Sequence, residues 1–296
     1  MSLRFPAGVA LAFGLILGPA GAQAARAASH FGGASEWNAP QKPFRIHGRS
    51  WYVGPHGLSA ILIDTGRGLA LIDAGLPSSA PLIEANIRAL GFRVRDLRWI
   101  LNSHAHADHA GGIAALQRHS GAQVLASAEG ARELALGGAD PEDPQYGDAP
   151  AYPPVQGARI VGDGGTVQLG KVAITAHYTP GHTPGSTSWT WSSCSGGHCL
   201  HMVYADSLTA IGRPGFRFSD QPRRVAAFRR SIAIVAALPC DILLTPHPDA
   251  SGFWRKVARG KAKADGERLV DGDACRAYAA AATRTLDARL AHEQAR

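Results

Sequence analysis

The run Asn102–Gly112, NSHAHADHAGG, constrains this chain more than any other stretch. It sets His104, His106, Asp108 and His109 within six residues. Four potential metal ligands this close cannot all share one face of a helix or strand, so the run requires a tight loop with converging side chains. Imidazole and carboxylate are donors of zinc sites. His182 lies in Thr179–Ser186, TPGHTPGS, where prolines and glycines force a turn. His247 lies in Leu243–Pro248, LLTPHP, after a short apolar run that reads as a strand. Six ligands from three loops are too many for one tetrahedral ion with an open position. They fit two zinc ions per chain, each with three protein ligands and room for a shared water.

The flanking sequence predicts what carries these loops. Ser29–Pro43 reads as an N-terminal arm, and Phe44–Val53, Leu58–Ile63 and Leu69–Ile72 as three strands. Asp73 ends the third, either turning inward beneath the metal loop or capping a turn. Helical spacing predicts a helix over Ala80–Leu90, and Leu97–Leu101 reads as a strand feeding the metal loop. Gly111-Gly112 lets the backbone turn tightly before a helix that begins at Ile113. Gly137–Pro154 has no periodicity and is expected to flank the groove, with Tyr146 and Tyr152 as wall residues. A second set of strands runs from Ile160 to Tyr204, followed by an amphipathic helix over Gln221–Leu238, a strand into His247 and a closing helix over Cys275–Ala291. This order suggests an α+β chain of two β-then-α halves, two sheets packed together with external helices and the site along one edge.

The 296 residues suffice for one large domain, and the 45% apolar content is that of a globular protein. The net charge of +7 includes no block of five basic residues, which argues against a nucleic-acid partner. Arg4, the apolar run Ala7–Leu17 and Ala22-Gln23-Ala24 form the pattern of a secretory signal over 1–24, too short for a membrane span. The expected mature chain is a single domain, residues 25–296, periplasmic or secreted and monomeric. Cys194, Cys199, Cys240 and Cys275 then point to disulfides, with three pairings open. Cys194 and Cys199 could clip a hairpin, leaving Cys240 with Cys275. A zinc site using His198 is the rival reading.

The H-x-H-x-D-H loop, the GHTPGS turn and the late Pro-His-Pro resemble the metallo-β-lactamase superfamily. Phe44–Gly48 (FRIHG), Gly57–Ile63 (GLSAILI), His182–Trp191 (HTPGSTSWTW) and Tyr204–Thr209 (YADSLT) are similar to subclass B3 of the class B β-lactamases. The resemblance implies a four-layer αβ/βα sandwich. It implies one zinc on His104, His106 and His182, a second on Asp108, His109 and His247, and a Cys240–Cys275 bond. It further implies hydrolysis of penicillins, cephalosporins and carbapenems by a zinc-bound hydroxide that Asp108 orients. Ser207 and Thr209 would bind the substrate carboxylate. Ala107 departs from the aromatic residue usual in relatives, which would open the floor of the groove. A glyoxalase II-like thioesterase or lactonase is the alternative, with Asp206 bridging both ions. A non-catalytic zinc-binding protein is a third. The Ser-x-x-Lys of serine β-lactamases is absent.

Overall fold

The structure, a computed structural model, describes Met1, residues 34–259 and residues 267–295. The expected signal segment lies, beyond Met1, outside the described residues. The chain begins with α1 (Ala34–Trp37), β1 (Phe44–His47), β2 (Ser50–Tyr52), β3 (Ile61–Asp64) and β4 (Leu69–Ile72). Next come α2 (Ala80–Ala89), β5 (Leu97–Leu101), α3 (Ala107–Ala110), α4 (Ile113–Ser120), β6 (Gln123–Ala126) and α5 (Ala128–Ala135). The second half holds β7 (Arg159–Ile160), β8 (Thr166–Leu169), β9 (Val172–Tyr178), β10 (Thr187–Ser195) and β11 (His198–Tyr204). It closes with α6 (Pro222–Ala237), β12 (Ile242–Leu244), α7 (Phe253–Arg259) and α8 (Ala274–Gln294).

Strands β1 to β7 form a seven-stranded sheet in sequence order, and β12-β11-β10-β9-β8 a five-stranded one. In the first, β1 to β4 pair antiparallel and β4 to β7 parallel. Side-chain alternation explains the layers. Ala70 and Ile72 of β4 face the core between the sheets, where they join Trp189, Met202 and Ile242. Leu69 and Leu71 face the other way, onto Ile83 and Ile87 of α2 and Ile113 and Leu116 of α4. The five-stranded sheet repeats this: Met202 and Tyr204 point inward, Val203 and Leu243 outward onto Phe228, Ile232 and Leu286. Both faces of each sheet are thus covered, and the layers run helix, sheet, sheet, helix.

The expected strand Phe44–Val53 divides in two. Gly48 turns the chain at φ 51°, and a Cβ there would sit 2.5 Å from the carbonyl oxygen of Cys194. The turn was hidden because strand-forming residues, Phe44 and Ile46 before it and Trp51, Tyr52 and Val53 after it, continue on both sides. The Cys194–Cys199 bond clips the β10–β11 hairpin at directly paired positions. The Cys240–Cys275 bond ties the start of α8 to the segment before β12.

Leu71→Ala removes a fully buried side chain between β4 and its helices, and is expected to lower the unfolding free energy by about 2–5 kcal/mol. Replacing Cys240 and Cys275 by Ser opens a 35-residue loop, with an expected loss of about 4 kcal/mol in the chain-entropy model. Denaturant titration measures both.

Candidate metal centre

Strand β5 ends at Leu101, and the next residues are stitched down before any ligand appears. The Asn102 side chain donates to the His104 carbonyl at 2.7 Å, and the Trp189 indole donates to the Asn102 carbonyl at 3.0 Å. Asp73 stands at φ 58°, the one non-glycine residue with positive φ among those described. It is fully buried and turns inward beneath the metal loop. Its carboxylate accepts from the Ser103 amide (2.8 Å), the Ser103 hydroxyl (2.6 Å) and the Tyr204 hydroxyl (2.8 Å). An aspartate in this strained region is held by its surroundings.

His106 caps α3, a single turn that carries Asp108 and His109. This turn was not foreseen; the histidine spacing masked it. Gly112 is needed for close approach, since a Cβ there would meet the Ala74 carbonyl at 2.3 Å. The contact lets the Ala74 amide donate to the His109 carbonyl at 2.8 Å. The loop after β9 brings His182, and the segment after β12 brings His247.

Two clusters result. One donor atom each of His104, His106 and His182 lie within 4.8 Å of one another, as do those of Asp108, His109 and His247. The clusters adjoin, with the His104 and His109 rings 4.4 Å apart. In the first cluster every imidazole is held from behind. Nδ1 of His104 meets Asp206 Oδ1 at 2.7 Å, Nε2 of His106 meets Asp143 Oδ2 at 2.8 Å, and Nδ1 of His182 meets the Thr209 carbonyl at 2.9 Å. The other nitrogen of His104, Nε2, is buried without a hydrogen-bond partner. Neither ring nitrogen of His109 makes a hydrogen bond, although Nε2 lies 3.2 Å from Asp108 Oδ2. Buried orphan nitrogens cost free energy unless something takes their lone pairs. A metal ion would do so, and the donor set of imidazole and carboxylate fits zinc.

The electrostatics agree. Burial, then the neighbouring His109 and His106, holds His104 well below its usual range; burial with His104 and His106 pushes His182 down to about 3. Burial also lowers His109. For His106 burial is outweighed by the bond and charge of Asp143, and the net shift is upward. For Asp108 burial is outweighed by His109 and His247, which hold it well below the carboxylate range. Three imidazoles whose charged form is disfavoured, beside an ionised carboxylate, suit a cation.

A cavity of about 260 Å³ opens onto the clusters, lined by His106, Asp108, His109, His182 and His247 together with Trp37, Gln145, Ser207, Thr209 and Ile211. Ser207 and Thr209 therefore lie where the sequence placed them, beside the ligands. Thr209 has a second task, because its carbonyl anchors His182. Loop 137–154 does flank the groove, but through Gln145, while Asp143 reaches His106 from behind. Tyr146 is exposed and Tyr152 buried away from the cavity. Ala107 is buried in the helix-side core and is not a floor residue of the cavity. Trp37, whose ring lies 5.1 Å from that of His247, and Tyr278 were not anticipated. Tyr278 donates to the Asp206 carbonyl and accepts from the Leu208 amide, both at 3.1 Å. Both come from distant terminal segments, and no local pattern marks them.

A family model described as the metallo-beta-lactamase superfamily matches residues 53–270. Among solved structures, the chain is 52% identical to Rm3 metallo-beta-lactamase, with a TM-score of 0.85 and coverage of 88% of this chain and 98% of that one. It is 50% identical to MEM-A1, a subclass B3 metallo-beta-lactamase from a soil metagenome library, at TM-score 0.85 and coverage of 88% and 99%. Among curated sequences, it is 34% identical over 165 residues to a hydroxyacylglutathione hydrolase of Anaeromyxobacter dehalogenans (strain 2CP-C), covering 56% of this chain and 51% of that one. The chain thus spans about half the length of the curated relatives it matches.

Burial pushes the Asp73 carboxyl up to about 7, against the lowering by its donors. A carboxyl raised in the folded state binds its proton more tightly there, so its contribution to stability is present at low pH and lost as pH rises from about 4 to 7. In chelator-treated protein, wild type should lose up to about 4 kcal/mol over that window relative to Asp73→Asn. Denaturant titrations at pH 4, 6 and 8 read this; parallel pH profiles would exclude it.

Proposed function

The chain belongs to the metallo-beta-lactamase superfamily, and on that premise we propose that it is a di-zinc β-lactamase, opening the ring amide of penicillins, cephalosporins and carbapenems. The observation that carries this reading is Asp206. A bridging carboxylate would favour a thioesterase or lactonase, but Asp206 is fully buried behind His104 and belongs to neither cluster. Ser207, a neutral side chain, lines the cavity beside the clusters. The likeness to solved metallo-beta-lactamases, 50–52% identical over 88% of this chain, supports the same choice over the weaker likeness to hydroxyacylglutathione hydrolases, 34% identical over 56% of it or 28% over 86%.

His104, His106 and His182 would hold one ion, and Asp108, His109 and His247 the other. Zinc bound there makes a water nucleophilic near neutral pH and polarises the carbonyl under attack. Asp108, ionised beside His109 and His247, would hold the second ion and orient that water. Ser207 and Thr209 bind the carboxylate next to the scissile amide. Trp37 and Ile211 supply apolar wall for the substrate's side groups. No covalent intermediate with the chain is required. Residues 25–296 would act as one domain and a monomer, outside the cytoplasm, where the two disulfides persist. No described helix is long and apolar enough to cross a membrane.

Purified protein is expected to hydrolyse both a penicillin and a carbapenem, and to lose both activities on zinc chelation. Turnover of thioesters or lactones alone, with two zincs bound, would replace this reading by the hydroxyacylglutathione-hydrolase one. Ser207→Ala should raise KM about tenfold across β-lactams with kcat little changed, the loss of one hydrogen bond to a charged group. Unchanged kinetics would remove Ser207 from substrate binding.

A further inference from the structure

We propose that Asp143 is the positioning residue for His106, and that metal binding at the three-histidine cluster sets the order of the loop 137–154. This rests on the metal-centre reading above and adds a coupling to it. The side chain of Asp143 is buried, and its two oxygens do different work. Oδ2 meets Nε2 of His106 at 2.8 Å, and Oδ1 accepts from the Gln145 amide at 2.6 Å. One carboxylate therefore holds a ligand with one oxygen and a turn of the loop with the other.

The loop is tied to the second half of the centre as well. The Pro144 carbonyl accepts from the Arg213 amide at 2.8 Å. Four residues before Arg213, Thr209 anchors Nδ1 of His182 through its carbonyl at 2.9 Å and its hydroxyl at 3.0 Å. Two of the three imidazoles are thus held by segments that are joined to each other at Pro144–Arg213.

The chemistry makes the coupling mutual. A carboxylate on Nε2 keeps the proton there and leaves the Nδ1 lone pair for an ion. An ion on Nδ1 withdraws charge from the ring and strengthens the Nε2–H bond to Asp143. Without it, Asp143 stands near the buried acids Glu133 and Asp140 with less compensation. What the loop contributes to metal affinity, the metal returns as loop order. Gln145 lines the cavity, so occupancy of the first cluster also fixes part of the groove wall.

The test uses the full chain, zinc competition with a chromophoric chelator, cobalt(II) absorption, and limited proteolysis within residues 137–154. Asp143→Ala is expected to bind its tighter zinc about 10–100-fold more weakly, with an altered cobalt spectrum. Asp143→Asn should fall between, because its amide oxygen still accepts the ring proton. Tyr146→Ala, at an exposed neighbour, should keep wild-type affinity. Zinc should slow cleavage of the wild-type loop and leave cleavage of Asp143→Ala unaffected. Equal zinc affinity in wild type and Asp143→Ala, or zinc-independent cleavage of the wild-type loop, overturns the proposal. If Asp143→Ala does not fold, Asp143→Asn and wild-type proteolysis decide. Wild type that binds no zinc would instead sink the metal-centre reading itself.

Discussion

Gathering five imidazoles and a carboxylate into two adjoining buried clusters is the constraint to which the rest of the molecule answers. Each ring loses water, and each would repel its neighbours if protonated. The outward nitrogens of the first cluster are satisfied by Asp206, Asp143 and Thr209. The inward ones have no protein partner that would complete them, as His104 Nε2 illustrates. The protein thus builds the unfavourable half of an ion site in advance. The ion supplies the favourable half.

Packing explains the architecture. The ligand loops leave the ends of β5, β9 and β12, strands from both sheets, so the clusters form only when the sheets are face to face. The inter-sheet core that joins Ile72, Trp189 and Tyr204 is therefore also the platform of the centre. Trp189 and Tyr204 serve both ends: their rings fill the core, while the indole and hydroxyl hold Asn102 and Asp73. Asp73 in its strained backbone is tolerable because four hydrogen bonds to its carboxylate, from Asn102, Ser103 twice and Tyr204, over-determine it.

The two clusters were legible in the sequence because closely spaced donors write a local pattern: four in six residues, then two histidines at strand ends. The layered fold was legible from the order of apolar runs. Sequence was silent where the third dimension chooses partners. Asp143 and Gln145 lie in a loop without periodicity, where nothing decides which side chain turns inward, and Tyr146 was the residue that composition favoured. Asp206 was noticed for a bridging role, yet it serves as the support of His104. The short turn α3 was hidden because its residues were already explained as ligands. Ala107 drew attention as a departure in the groove, while its methyl group belongs to the core.

The bond between Cys240 and Cys275 has a reach beyond the stability of the loop it closes. It fixes the first turn of α8, and one turn later Tyr278 clasps the backbone of Asp206 and Leu208. Asp206 supports His104, and Ser207 lines the groove between those clasped residues. Two sulfur atoms that touch no ligand are therefore in mechanical series with the catalytic cleft. Opening that bond would loosen the wall of the groove as well as the end of the chain.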